Sequence, residues 1–186
     1  MKARRTFLNC IVAALLPVFL TCTPVFAENS EKLDKLFSRL LTANEGEASR
    51  IEGEIWIEWS KSGSPAMDLL LQRGRDAMAV GDNTTAIAHF TAIIDHSPDF
   101  AEAWNARATA YFQAGEFGPR CDIGHVLTLN PRHFGALSGL GMILEATDKP
   151  ERALEVYKAA LAIHPHLEGV LDAAKRLEAA TEGTEL

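Results

Sequence analysis

Three prolines, each closing a run with helical periodicity, divide this chain at intervals of 33 and 34 residues: Asp95-His96-Ser97-Pro98, Leu129-Asn130-Pro131 and Ile163-His164-Pro165. A proline that ends a helical pattern and returns at this spacing marks an array of helix–turn–helix units. The units run 67–100, 101–133 and 134–167. Within them Gly74, Gly141, Ala86 and Ala153 are small enough for two helices to approach closely, and Phe90, Tyr157, Trp104 and Tyr111 fill the space beside them. Gly81-Asp82-Asn83 and Thr147-Asp148-Lys149-Pro150 supply turns, with Asp and Asn suited to capping and Pro150 to a first helical turn. No such unit can bury its apolar face alone, so stability must come from stacking on its neighbours.

The positions of Leu70, Gly74, Ala86, Phe90 and Pro98 in the first unit match the tetratricopeptide pattern, as do Leu137, Leu140, Gly141, Leu144, Ala153, Tyr157, Ala160 and Pro165 in the third. The middle unit carries Trp104, Ala108, Tyr111 and Gly115. On these residues the chain resembles the tetratricopeptide repeat (TPR) family. The resemblance implies an all-α fold: a right-handed superhelical solenoid of helix-turn-helix repeats, about nine helices with capping helices at both ends. Residues 28–66 are expected to form a degenerate helix pair ahead of the first unit, with helices over Glu31–Ala43 and Ala48–Trp59 and a linker at 61–65. Residues 168–186 are expected to form a C-terminal capping helix and tail. The middle unit is one residue short, the deficit falling between Gly115 and Ile123, with Pro119 able to start its second helix.

Residues 1–27 have the layout of a cleavable export signal. Lys2, Arg4 and Arg5 precede an apolar run from Phe7 to Leu20, and Val25-Phe26-Ala27 supplies a cleavage point before Glu28. The run is short for a membrane span and contains Pro17. Cys22 lacks a lipobox-like sequence before it. The expected location is therefore periplasmic or secreted, with no membrane span after cleavage; an uncleaved N-terminal anchor is the alternative. Cleavage would leave 159 of the 186 residues, remove three basic side chains and no acidic one, and shift the charge from −7 to −10. So acidic a chain lacks the basic footprint of a nucleic-acid binder. Of three cysteines only Cys121 would remain, expected as a buried, inert thiol, with an intermolecular disulfide or reaction with a redox partner as the alternatives.

No catalytic residue, metal site or cofactor is expected. The chain has no nucleophile motif and no HExxH, and the glycines at 135, 139 and 141 lie within a helical pattern with no strand before them. The histidines are expected to be exposed or capping. In the family it resembles, function lies on the concave face formed by the first helix of each unit. Matching positions place Gln72, Arg75 and Met78 there from the first unit, Asn105, Thr109 and Phe112 from the second, and Ser138 and Met142 from the third. Asp68, Leu71, Glu102, Gln113 and Glu145 accompany them. Arg75 and Asn105 hint at a clamp for a C-terminal carboxylate, but its lysines are missing. The partner expected is a protein or peptide, held by Met78, Phe112 and Met142 and oriented by Arg75 and Asn105, with an envelope complex as the setting. Three classes of function stand side by side: a scaffold or adaptor, a chaperone-like holdase for exported chains, and an enzyme or metal-dependent accessory protein.

Overall fold

The computed structural model describes residues 25–116 and 120–182; the expected signal lies outside them except for Val25–Ala27, and so does Pro119. Nine helices occur among the described residues: α1 (Val25–Leu40), α2 (Glu45–Trp59), α3 (Pro65–Ala79), α4 (Asn83–His96), α5 (Ala101–Gln113), α6 (Arg120–Leu129), α7 (Phe134–Ala146), α8 (Pro150–Ile163) and α9 (Glu168–Glu182). None is long and apolar enough to cross a membrane. The protein is a helical repeat solenoid, with α3–α4, α5–α6 and α7–α8 as its pairs.

Each pair is built on one turn. After α3 the Asp82 amide donates to the Ala77 carbonyl at 2.9 Å and the Gly81 amide to Met78 at 3.0 Å. The same two bonds recur after α5 (Glu116 to Tyr111, Gly115 to Phe112) and after α7 (Lys149 to Leu144, Asp148 to Glu145). This arrangement satisfies the last carbonyls of a helix and requires a left-handed residue. That residue is Gly81 at φ 80°, Gly115 at φ 77° and Asp148 at φ 55°. The first two turns are thus 34 residues apart and the next two 33, which puts the missing residue of the middle unit after Gly115.

Packing within each pair depends on one small residue facing one large one. A Cβ built on Gly74 would lie 2.3 Å from Cε1 of Phe90, and one on Gly141 would lie 2.2 Å from Cε1 of Tyr157. In the middle unit these positions hold Ala108 and Ile123, which share one buried cluster. The methyl is tolerated there because the partner is the smaller Ile. α6 is secured by charge as well. Arg107 donates from Nε and Nη2 to both oxygens of buried Asp122, at 2.7 and 2.8 Å, and from Nη1 to Thr91 of α4. The bidentate Asp122 contact raises the Arg107 pKa against the effect of burial.

The N-terminal helix pair does not stack on the first unit. The α1–α2 core of Leu36, Phe37, Leu40, Ile51, Ile55 and Trp59 closes on Phe134 of α7, flanked by Ile163 and Leu167. The cluster beneath α3 holds no residue of α1 or α2. Thus α2 lies across the inner side of the solenoid instead of extending it. The C-terminal helix does cap, Ala174 and Leu177 packing on Leu144, Ala153 and Tyr157. Cys121 is exposed, contrary to the buried thiol expected: it falls outside the stripe of Ile123 and Val126 by which α6 faces the core.

Candidate functional site: an inner face divided by α2

The inner face is made by α3, α5 and α7, and α2 runs over it. Two features of the sequence hold α2 there. Gly135 lacks the Cβ that would come within 2.6 Å of the Trp56 ring, so α2 sits directly on the start of α7. Around it Trp59 stacks on His133 with centroids 4.1 Å apart, and Trp56 meets Phe134 edge-on at 5.6 Å. Such ring pairs add to the burial of the large apolar surfaces themselves.

Beneath the rings is a buried polar chain. Glu102, only 3% exposed, accepts from Arg75 at 2.6 Å, from Asn105 at 3.3 Å and bonds His133 Nε2 at 3.1 Å. His133 Nδ1 accepts from the Ala136 amide at 3.0 Å, capping α7, which leaves the ring proton on Nε2 for Glu102. A buried carboxylate without such donors would cost several kcal/mol. Arg75 also donates to Ser60 at the end of α2 at 3.0 Å, so one guanidinium ties α2, α3 and α5 together. Midway along α2, His164 bonds Glu52 at 3.2 Å while its Nδ1 accepts from the His166 amide. The His164 contact holds the Glu52 carboxyl below the usual range against the effect of its partial burial, with help from the Trp56 indole. Both nitrogens of His133 and of His164 are thereby engaged, so neither pair is arranged as a general base. His133 caps the start of α7 and His164 the end of α8, as expected, and both are buried.

Two grooves remain on either side of α2. One, of about 630 Å³, lies between α2 and α3–α5 and is lined by Arg75, Met78, Asn105 and Thr109 together with Trp56 and Ile57. The other, of about 920 Å³, lies between α2 and α7–α9 and is lined by Phe112, Ser138 and Met142 together with Trp56, Tyr157 and Arg176. A recess of about 450 Å³ between α5 and α7 joins Asn105, Thr109, Phe112, Ser138 and Met142. Seven of the eight expected residues therefore line the inner face. Gln72 lines none of these grooves and donates to Asp76 on the exposed side of α3. Of the accompanying residues, Leu71 and Glu102 are buried in the packing beneath the face.

The expected orienting pair is corrected by the geometry. Arg75 and Asn105 both spend donors on Glu102, so the cation is neutralised inside the chain. Ser138 and Thr109 hydroxyls return to the Phe134 and Asn105 carbonyls. Glu145 is held by Arg176 through two bonds of 2.7 and 2.9 Å, and with burial it pushes the nearby Tyr157 hydroxyl up to about 12. Among the described residues no group of three His, Cys, Asp or Glu side chains is placed to hold a metal. The residues missed from the sequence are those of α2 and α9: Trp56, Ile57, Glu45, Glu168 and Arg176. The available signal was α2 itself. Ile51, Ile55 and Trp59 already fill one face, so Trp56 on another implies a second partner.

The model of the tetratricopeptide repeat matches residues 71–118 and 125–168. A TPR repeat-containing protein of Rhizobium etli is 39% identical over 137 residues, covering 73% of this chain and 67% of its own length. The chain belongs to the tetratricopeptide repeat family. The small glutamine-rich TPR-containing protein 2 of Saccharomyces cerevisiae is 33% identical over 118 residues, which cover 63% of this chain and 34% of the yeast protein. The chain thus spans about two thirds of one curated TPR relative and about one third of the other. Among solved TPR structures, the first TPR of Spaghetti (RPAP3), bound to the HSP90 peptide SRMEEVD, superposes with a TM-score of 0.60 at 24% identity, covering 62% of this chain and 95% of that one. The crystal structure of MamA protein gives 0.57 at 17% identity, covering 83% of this chain and 82% of that one. These likenesses show the TPR fold.

Proposed function

We propose that this TPR protein is an exported scaffold or adaptor that holds a peptide segment of a partner protein on its inner face. The observation that carries this reading is the pair of apolar-walled grooves left on either side of α2. Clefts of several hundred Å³ with few, well-placed polar groups suit binding, and an extended segment can lie along the helices of such a face. A relative in fold, the first TPR of Spaghetti, holds a peptide of HSP90. α2 is tied in place by the bonds of Ser60 to Arg75 and of Glu52 to His164, and a groove pre-formed in this way favours one defined partner over the many unfolded clients of a holdase. Export rests on the Lys2-Arg4-Arg5 start, the apolar run and Val25-Phe26-Ala27.

The test uses the tagged full-length chain expressed in a bacterial host that secretes through the general pathway. Envelope fractions are captured and analysed by mass spectrometry, and the chain's own N-terminal peptide is read in the same run. A peptide beginning at Glu28 supports export, and retention of Met1 argues against it. A stoichiometric partner should be lost with Thr109→Arg plus Met142→Arg, both exposed on the inner face, and kept with Ala88→Arg plus Ala159→Arg on the second helices. Retention of the partner by the inner-face variant rules the reading out.

A further inference from the structure

Resting on the inner-face reading, we infer that the groove between α2 and α7–α9 takes an extended peptide of net positive charge, with several Lys or Arg beside an apolar side chain. Its walls include Trp56, Phe134, Met142 and Tyr157, an apolar cleft of about 920 Å³. Charge at its mouth is one-sided. Glu45, the first residue of α2, and Glu168, the first of α9, meet at the edge of the groove with their side chains in contact. Among the described residues no cation pairs with either, whereas the other carboxylates lining the groove are already matched, Glu52 by His164 and Glu145 by Arg176. Their contact raises the Glu168 carboxyl, as does the nearby charge of Asp172. Two like charges held together by two separate helices lower their energy when a cation enters between them, and the apolar wall beside them desolvates that contact. An acidic segment meets the opposite: its carboxylates would add to those already at the mouth, where Arg176, the one Lys or Arg lining the groove among the described residues, is already paired through Nη2 with both oxygens of Glu145.

The occupant is therefore opposite in sign to SRMEEVD, the HSP90 peptide in the Spaghetti structure. Two fluorescein-labelled peptides are titrated into the full chain at low salt and followed by anisotropy: SRMEEVD, and the same peptide with its two glutamates and its aspartate replaced by lysine. The lysine peptide should bind at least tenfold more tightly. Glu45→Gln with Glu168→Gln should cost it roughly tenfold, as expected for two rim charges. Glu151→Gln with Glu155→Gln, which removes as much charge from the exposed side of α8, should leave its affinity within twofold. Circular dichroism checks that both variants fold.

Tighter binding of SRMEEVD overturns the inference while leaving inner-face binding intact. Equal loss in the two double variants also overturns it, because attraction would then be to the net charge and not to the groove. Failure of both peptides to bind overturns it as well, and the capture experiment with the inner-face variant then decides the broader reading separately.

Discussion

Replacing Gly74 by Ala should destabilise the first unit, although Ala is the better helix former. The added Cβ would stand 2.3, 2.6 and 2.8 Å from three atoms of the Phe90 ring. Ordinary contact begins near 3.4 Å, so the ring must retreat by about 1 Å. It has nowhere to go, because Phe90 is fully buried among Leu71, Ile93 and Ile94. Overpacking of this kind costs about 1–3 kcal/mol. Against it stand about 1 kcal/mol from helix propensity and from the narrower unfolded ensemble. The net loss is about 0–2 kcal/mol, a fall in Tm of up to about 8 °C for a chain of this size. Gly53→Ala supplies the counter-test, since its Cβ would meet nothing within 4 Å on exposed α2. That substitution should stabilise by about 0.5–1 kcal/mol. The middle unit suggests a suppressor: Gly74→Ala with Phe90→Ile recreates the pairing of Ala108 with Ile123. Urea denaturation followed at 222 nm should give a double variant less destabilised than the sum of the two singles, by about 1 kcal/mol or more. Strict additivity, or a stabilising Gly74→Ala, would refute the claim that this pair is a steric lock.

Three further outcomes test the site and its supports. Gly135→Ala places a Cβ 2.6 Å from Trp56, so it should shift indole emission and cost about 1–2 kcal/mol, whereas Gly139→Ala, open on the same helix, should be neutral or stabilising. Arg107→Lys keeps the charge but loses the fork on Asp122 and the bond to Thr91; thermal melting should show about 1–2 kcal/mol of lost stability, and an unchanged melt would mean that α6 needs no such tie. Burial alone would raise the Glu58 carboxyl, but Lys32 and Lys61 outweigh it and hold it below its ordinary 4.5. The depressed group stabilises the fold fully above 4.5 and loses that contribution as pH falls below it. The stability gap between wild type and Glu58→Gln, about 1 kcal/mol at pH 7, should therefore close on acidification in urea titrations; a constant gap would contradict the pairing.

What is legible in the chain and what is hidden there divide by the reach of the contacts. Pro98, Pro131 and Pro165, the glycines at 74 and 141 and their aromatic partners act within a unit or on the next one, so their spacing alone determined an all-helical repeat and its three pairs. The shared turn geometry even located the missing residue of the middle unit. Most of the inner-face positions were legible for the same reason, since each repeats the register of its unit. Nothing local revealed the seat of α2. It is set by bonds between residues far apart in the chain, Arg132 with Asp34 across 98 positions and His164 with Glu52 across 112, and by the fit of Trp56 over Gly135. Amphipathic periodicity says that a helix has a face to bury and is silent about which surface buries it. Sequence thus determined that this protein is a stack of helix pairs. Only the tertiary structure decided that the first pair turns inward, spends Arg75 on Glu102 and leaves two grooves where one open face was expected.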